Sequence, residues 1–240
     1  VAGVVSIFTR GGYTPQRISG EARGGTYHSG DASVALRGGI TFTGGPNAEY
    51  SLSVSRHQTD GSDSFNNQFD ENVVSGRADF DPDPNNTFGL TVRYTDSRYH
   101  YPTNSGGSVV DRNAFSSGDL IVLGAAYGHA FSRITTLTVN LASDETNGGT
   151  TDRPDTTGGD QYLSLDDIRR HSAEARLNFR DPGGRGVLTF GASLSAADQG
   201  SQSQGLASGY AYTSNFSAYR GNRAAYAQLL YSGVPGLTGV

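Results

Sequence analysis

Residues 87–99 read TFGLTVRYTDSRY, and their side chains alternate in polarity. Phe88, Leu90, Val92 and Tyr94 fall on one side of the chain, whereas glycine, threonines and Arg93 fall on the other. Because a β-strand sends successive side chains to opposite faces, the stretch predicts a strand with one apolar and one polar face. Such a strand suits either a soluble sandwich or a membrane wall that separates lipid from water.

The same alternation recurs along the chain and predicts an all-β protein. Ten amphipathic segments lie near residues 18–27, 32–42, 48–58, 71–81, 87–99, 118–130, 134–145, 168–180, 186–197 and 219–231. A further short β-branched segment, VAGVVSIFT, occupies residues 1–9, and residues 237–240 resemble the start of another strand. Consecutive segments joined by turns indicate an antiparallel up-and-down sheet.

Composition excludes several classes of protein. Hydrophobic residues make up 35% of the 240 residues, which is low for a chain that must fill a dry core. No apolar run is long enough for a transmembrane helix, so a membrane protein with this sequence must be a barrel. The net charge of −5 argues against a nucleic-acid partner. The absence of cysteine excludes disulfides and thiolate metal sites.

The connections between the predicted strands alternate in length. Tight connections rich in Gly, Pro, Asn and Asp lie at residues 43–47, 82–86, 131–133, 181–185 and 232–236. Long polar connections are predicted at residues 59–70, 100–117, 146–167 and 198–218, with 28–31 as a short exception at the same end. Outer-membrane barrels place short turns at one end and long loops at the other.

Aromatic residues cluster beside the short turns, on the predicted apolar face. They are Phe42, Tyr50, Phe80, Phe88, Phe131, Phe179 and Tyr231. An aromatic girdle at one height is what a lipid–water interface selects, although the absence of Trp is unusual for one. We therefore predict a transmembrane β-barrel, with a soluble β-sandwich or β-helix as the alternative. Ten strands and a stub do not close, so we expect a sequence truncated at both ends, with more strands after Val240.

Residues 1–12, VAGVVSIFTRGG, resemble the end of the plug domain in TonB-dependent outer-membrane receptors. The matching positions are Gly3, Val4, Val5, Ile7, Thr9 and Arg10, whereas Ala2, Ser6 and Phe8 depart from that pattern. The resemblance implies the plug end at residues 1–12 and the N-terminal half of a 22-stranded barrel at residues 13–240. It also implies Gram-negative outer-membrane localisation and active import of a scarce ligand, driven by a TonB complex through plug segments absent from this sequence.

The resemblance suggests two ligand classes. Residues 55–63 and 92–101 are most similar to cobalamin receptors, but Ser62 stands where those receptors carry a tyrosine. The ligand is therefore expected to be a corrinoid such as cobalamin or a ferric siderophore. A passive diffusion porin is the alternative function, followed by a soluble structural or adhesive β domain.

The predicted loop at residues 59–70 and its border offer oxygen ligands for a cation. Asp60, Asp63, Asp70 and Glu71 lie there beside several amide side chains. Calcium takes six to eight oxygen ligands, so these carboxylates predict a calcium site, although their spacing is not that of an EF-hand. The alternative is a solvated loop kept soluble by its charge. Calcium is the one cofactor that the sequence suggests.

Aromatic and polar residues near the long loops predict a ligand vestibule. They are Tyr99, His100 and Tyr101, with Tyr210, Tyr212 and Phe216. The alternative is a second interface belt with ordinary loop packing. Charges on the polar face are expected to pair with one another or with the plug, because isolated buried charges are costly. They are Glu21, Arg23, Arg37, Arg77, Asp79, Arg93, Glu174 and Arg176.

The sequence gives no sign of catalysis. Its five histidines are scattered, without the i, i+4 spacing of a zinc motif. The glycine-rich residues 183–186 lack the lysine and hydroxyl residue of a phosphate-binding loop. We therefore predict that the protein is not an enzyme.

Overall fold

The computed structural model describes residues 15–43, 45–104, 106–154, 161–207, 210–234 and 237–239. Eleven strands are found in that part of the chain. They are β1 (Arg17–Gly24), β2 (Gly30–Thr41), β3 (Asn47–Thr59), β4 (Phe69–Asp83), β5 (Asn86–His100), β6 (Phe115–Ala130), β7 (Thr135–Asp152), β8 (Gln161–Arg180), β9 (Gly186–Ala207), β10 (Tyr210–Val234) and β11 (Leu237–Gly239). The predicted segment at residues 1–9 and the predicted plug end at residues 1–12 lie outside the described residues.

The strands form one antiparallel sheet in which every strand pairs with its neighbours in the sequence. The order runs from β1 to β11 without a crossover. The predicted all-β, up-and-down antiparallel fold is thus confirmed, and β11 confirms the expected start of another strand. Within the described ranges the chain has no helix, hence none long and apolar enough to span a membrane. The first and last strands of this sheet do not pair with each other, so it is open.

Two of the short turns are built on Asp-Pro sequences. After β4, the Asp83 carboxylate accepts the backbone N–H groups of Asn85 at 2.8 Å and Asn86 at 3.0 Å. The Asn86 side chain also donates to it, and these hydrogen bonds lower the pKa of Asp83. After β8, Asp181 accepts the N–H of Gly183 at 3.1 Å, and Gly184 takes a positive φ of 71°. Both carboxylates act as local acceptors that reverse the chain.

Two of the predicted long loops are wrong, because the chain continues as strand. Residues 146–167 mostly extend β7 and β8, with Thr146 opposite Ile168 and Asp152 opposite Tyr162. Residues 198–218 almost entirely extend β9 and β10, which pair as far as Ala207. These extensions are mostly polar, and their few apolar residues, such as Leu165 and Phe216, do not alternate regularly with polar ones, so the pattern that indicates a half-buried strand is missing. Residues 60–68 and 101–114 remain loops, as predicted.

The described sheet has no apolar core. Ala114 is the one hydrophobic residue classed as buried in these ranges. Large apolar side chains on the strands are instead exposed, for example Leu90 at 60%, Leu141 at 51% and Leu194 at 57%. A single sheet with one exposed apolar face needs another apolar layer to cover it, either protein or lipid.

Candidate functional site

Strand register divides the sheet into two faces of opposite character. The first row runs across β3 to β6 through Leu52, Gly76, Val92 and Leu123. The row beside it runs through Ser51, Arg77, Thr91 and Gly124. Neighbouring rows project to opposite sides of a sheet, so we call the side of the first row the apolar face and the other the polar face. The predicted aromatics within strands, Tyr50, Phe80, Phe88, Phe179 and Tyr231, all fall on the apolar face, as expected.

The lower edge of the apolar face, near the short turns, crosses the strands obliquely. Phe88 of β5 aligns through β6 and β7 with Ala175 of β8, but the aromatic residue of β8 is Phe179, four positions nearer the short turns. Ala175 aligns with Ala225 of β10, where Tyr231 lies six positions nearer the turns. From β5 to β10, the aromatic residue moves six residues along the strand direction over five neighbouring strands. At about 3.3 Å per residue, this is an offset of about 4 Å along the strand for each strand spacing of about 4.8 Å. Aromatics at one height therefore require strands tilted by about 40°, the value typical of membrane barrels.

The upper edge of the apolar face, on the side of the long loops, slopes across the strands in parallel with the lower edge. It passes from Tyr94 in β5 to Ala173 in β8 and Ala225 in β10, and the next residue on that face in each strand is Asp96, His171 and Arg223. Each apolar stretch thus spans seven residues, about 20 Å along the strand and about 15 Å perpendicular to the edges of the band at this tilt. That is thinner than the apolar band of about 25 Å that is usual in membrane barrels. Long side chains at its rim, such as Arg223, can extend the apolar surface with their stems while the charged end reaches outward.

Two loops beyond the apolar face are joined through Asn66. Its side-chain amide donates to the backbone carbonyls of Tyr101 at 2.9 Å and Ala114 at 3.1 Å. Its Oδ1 lies 3.0 Å from Nδ1 of His100, and Asn66 itself is 7% exposed with a positive φ of 49°. We call residues 60–68 and 101–114, held together in this way, the loop cluster. A buried amide with its donors and acceptor satisfied fixes the relative position of the two loops.

Asp111 organises the second loop and escaped the sequence analysis. It is 1% exposed, and its carboxylate accepts the backbone N–H groups of Asn113 at 2.8 Å and Ala114 at 2.7 Å. Asn113 in turn exchanges two hydrogen bonds with the backbone of Arg153, just after β7. The signal in the sequence is an aspartate in a loop, a residue type that folds back on the N–H groups two and three positions later.

The environment of His100 disfavours its charged form. Partial burial lowers the pKa of His100, the positive charge of Arg98 lowers it further, and Asp70 opposes both. The imidazole also packs against the Phe115 ring, with 5.4 Å between centroids. The loop cluster therefore favours the neutral imidazole of His100 over its charged form.

The structure brings together some of the predicted vestibule residues. Tyr99 and Tyr101 stack with 6.2 Å between ring centroids, and His100 lies between them in the chain as part of the loop cluster. Tyr210 and Tyr212 lie on β10, five strands from β5 and hence about 24 Å away across the sheet. Tyr212 packs over Gly205 of β9, and Tyr210 is 80% exposed. A vestibule formed by these five side chains and Phe216, which also lies on β10, stays a prediction.

The four carboxylates predicted for calcium do not converge in the described structure. Asp60 pairs with His28 at 2.8 Å, and Asp70 pairs with Arg56 at 2.8 Å. Asp63 accepts a hydrogen bond from Asn67 at 3.3 Å, and Glu71 lies opposite His57 in the β3–β4 register. Among the described residues, no three His, Asp or Glu side chains are grouped so that they could hold a metal ion. Calcium binding stays a prediction that would require these loops to rearrange.

Charges on the polar face pair largely as expected. Three arginines each pair with the carboxylate two residues away on the same strand face: Arg23 with Glu21, Arg77 with Asp79 at 2.6 Å, and Arg176 with Glu174 at 3.7 Å. A further cross-strand pair joins Arg170 to Asp144 at 3.8 Å. Most of these side chains are partly exposed in the open sheet, so each pair contributes little stability by itself. Together they show that the polar face suits a wet interior.

An open sheet with a tilted apolar band and polar rims defines a class of fold, and solved structures share it. The chain is similar to the siderophore receptor PiuA from Acinetobacter baumannii, with a TM-score of 0.62, 13% identity, and coverage of 92% of this chain and 40% of that one. It is similar to the ferripyoverdine receptor of the outer membrane of Pseudomonas aeruginosa, with a TM-score of 0.59, 12% identity, and coverage of 91% and 34%.

A third similar structure is the ferric yersiniabactin uptake receptor FyuA from Yersinia pestis, with a TM-score of 0.56, 10% identity, and coverage of 92% and 36%. The chain thus spans less than half the length of each of these receptors. Comparison with family models and with curated protein sequences finds no match. At these identities the likeness establishes the fold, an antiparallel sheet of the kind found in barrel-type outer-membrane receptors.

Proposed function

We propose that this chain forms part of the transmembrane barrel wall of an outer-membrane receptor in a Gram-negative bacterium. The supporting observation is the seven-residue apolar band, which is exposed on one face and whose slope across the strands corresponds to a strand tilt of about 40°. A soluble sandwich would bury that face against a second sheet. Lipid covers the face without a second layer, and the short turns then lie on the periplasmic side with the loop cluster outside.

The receptor's cargo is proposed to be a ferric siderophore. The three similar structures are siderophore or ferric-siderophore receptors, which supports this ligand class over the corrinoid that residues 55–63 and 92–101 suggest. The loop cluster with Tyr99 and Tyr101 offers aromatic rings and fixed polar groups at the outer end of the polar face, as a binding site requires. Import powered by a TonB complex acting on a plug domain is part of the same proposal, on the resemblance of residues 1–12.

Ligand binding to the full-length receptor in detergent tests the assignment. Isothermal calorimetry with a panel of ferric siderophores should give one tight ligand, whereas cyanocobalamin should give no heat of binding. Tight binding of cyanocobalamin, weakened by calcium chelation, would instead support the corrinoid alternative with Asp60, Asp63, Asp70 and Glu71 as calcium ligands. A folded receptor that binds neither class but conducts small solutes in planar bilayers would identify a passive porin.

Topology can be tested separately, because the sequence contains no cysteine. Cysteines introduced at Asn104, in the loop cluster, and at Asn85, in a short turn, provide one reporter on each side of the proposed membrane. A membrane-impermeant maleimide should label Asn104→Cys in intact cells and Asn85→Cys after the outer membrane is permeabilised. Equal labelling of both in intact cells, or a product that is soluble without detergent, would contradict the barrel.

A further inference from the structure

A large groove crosses β3 to β10 beyond the apolar band, on the face that carries this band. Its volume is about 1160 Å³, and we call it the outer groove. Much of its lining belongs to two neighbouring rows of residues that follow Tyr94 on that face. One row includes Asp96, Asp119, Asn147 and Asp167, and the next includes Gly149 and Gln202. The outer groove thus lies on the opposite side of the sheet from the polar face that the binding proposal uses.

Glycine keeps part of the outer groove open. A Cβ at Gly149 would clash with the backbone carbonyl oxygen of Ser164 on β8, so no side chain fits there. A Cβ at Gly200 would clash with the carboxylate of Asp167. At both positions the floor of the groove is therefore bare backbone, which lets a ligand approach the sheet closely.

The outer groove begins at the edge of the apolar band and rises away from it. On β5, Asp96 is the next residue on that face after Tyr94, where the apolar stretch ends. On β10, Ser217 lines the groove in the same cross-strand row as Asp96, and it lies six residues beyond Arg223 at the edge of the band. Six residues correspond to about 20 Å along the strand and about 15 Å perpendicular to the edges of the band. One end of the groove therefore lies at the band, and the other end lies about 15 Å farther out.

Hydrogen-bonding groups dominate the lining of the outer groove, and its two arginines are engaged. Arg56 pairs with Asp70 at 2.8 Å, and the guanidinium group of Arg98 lies over the Phe115 ring at 5.0 Å. The remaining carboxylates would repel a phosphate headgroup. Among the described residues, they form no group of three that could hold a metal ion. A neutral ligand rich in hydroxyl groups fits this lining best.

We infer that the outer groove binds the neutral sugar headgroup of a glycolipid whose acyl chains lie against the apolar band. Adjacent sugar hydroxyls can donate to the carboxylates of Asp96 and Asp119 and accept from the amide of Asn147. Asn147 donates to Asp119 over a long 3.4 Å, so a hydroxyl can replace that hydrogen bond at little cost. A membrane lipid supplies this headgroup because the groove starts at the band that acyl chains would cover. The inference rests on the proposed function in one respect, since the apolar band must face lipid.

Native mass spectrometry of the full-length receptor, released from phosphatidylcholine nanodiscs, tests the site. The probes are digalactosyl diacylglycerol and diacylglycerol with the same acyl chains, added in equal amounts. We expect the receptor to retain the sugar-bearing lipid at least about tenfold more than the lipid without sugars. An Asp96→Ala/Asn147→Ala variant should lower that preference to about twofold or less, because each lost hydrogen-bonding side chain weakens binding by about fivefold.

A Thr95→Ala/Thr146→Ala variant is the matched control, since these residues precede Asp96 and Asn147 in the chain and lie on the polar face. Its preference for the sugar-bearing lipid should stay unchanged. Equal retention of both probes, or a preference insensitive to Asp96→Ala/Asn147→Ala, would overturn the inference. So would a preference that disappears when divalent cations are chelated, because it would belong to a cation bridge. The maleimide labelling at Asn85 and Asn104 separates these failures from failure of the barrel proposal, because it reports topology independently of the outer groove.

Discussion

Replacing Gly191 with alanine tests how Tyr226 packs across β9. Tyr226 of β10 reaches over Gly191 to donate its hydroxyl proton to Glu174 of β8 at 2.9 Å. A Cβ at residue 191 would lie 2.2 Å from Cζ of Tyr226 and 2.4 Å from Cε1, far inside van der Waals contact. The ring must swing aside, and its hydrogen bond to the carboxylate must break.

The expected loss of stability is about 1 kcal/mol. Crowding costs about 1–3 kcal/mol because the tyrosine ring must leave its packed position, whereas the solvent-exposed hydrogen bond of the hydroxyl contributes little. Alanine recovers about 0.5–1 kcal/mol, since it restricts the unfolded chain more than glycine does. Urea unfolding of the full-length receptor in lipid vesicles, followed by circular dichroism, measures the net change.

A double-mutant cycle with Gly191→Ala and Tyr226→Ala tests whether the loss of stability comes from the tyrosine ring. In a Tyr226→Ala background, the same Gly191→Ala change should stabilise the protein by about 0.5–1 kcal/mol, because the clashing ring is gone and the effect of alanine on the unfolded chain remains. Gly20→Ala is the matched control, since its Cβ would meet its nearest neighbour at an ordinary 3.5 Å. If Gly191→Ala costs the same free energy with and without the Tyr226 ring, Tyr226 does not depend on that glycine.

Three further changes test the membrane band and the loop cluster. Leu90→Arg on the apolar face should lower the free energy of unfolding in vesicles by about 2–4 kcal/mol. Thr91→Arg, at the neighbouring residue on the polar face, should change that free energy by less than about 1 kcal/mol. Equal effects of the two substitutions would contradict the assignment of faces. Asn66→Ala removes the amide that donates to the carbonyls of Tyr101 and Ala114, of which the Ala114 carbonyl keeps, among the described residues, only the Tyr101 N–H at 3.2 Å. Amide hydrogen exchange in residues 101–114 should therefore accelerate by at least about tenfold, equivalent to about 1.4 kcal/mol or more, with exchange in β5 unchanged. The pKa of His100 is lowered in the folded protein. The stability that neutral His100 gives the loop cluster is therefore fully present above the unfolded pKa of about 6.5, and it is lost as the pH falls through the folded pKa. The protection of the same residues, corrected for the intrinsic pH dependence of amide exchange, should therefore fall as the pH is lowered from 7.5 to 5, and His100→Gln should remove that dependence. An unchanged protection profile would exclude His100 as the titrating group.

The fold was largely predictable because strands with one apolar and one polar face carry a strong signal in the sequence. In β5, apolar and polar side chains alternate from Phe88 to Tyr94, so strand, face and register follow from residue type. The same signal fails above the band, where β9 and β10 continue through residues such as Ser201 and Asn215 with water on both faces. There the strands continue because their backbones stay hydrogen-bonded to each other, and this pairing cannot be inferred from the residue types.

The candidate site was only partly predictable, because its contacts join distant residues. Tyr99, His100 and Tyr101 were identified from their types, but the role of Asn66 depends on carbonyls 35 and 48 positions away. The outer groove likewise combines residues that are adjacent only through pairing of β3 to β10. Pairing of this kind is set by tertiary structure, which a single sequence does not display.

Strictly sequential pairing of the strands has a consequence for how the wall is assembled. Each strand finds its partner in the segment that precedes it, so the sheet can grow hairpin by hairpin as the chain is delivered. At every stage such a growing sheet has two free edges, one at its first strand and one that advances with the chain. Under the barrel proposal, the machinery that inserts the protein needs to shield both edges from other chains and from lipid, whatever the number of strands already in place.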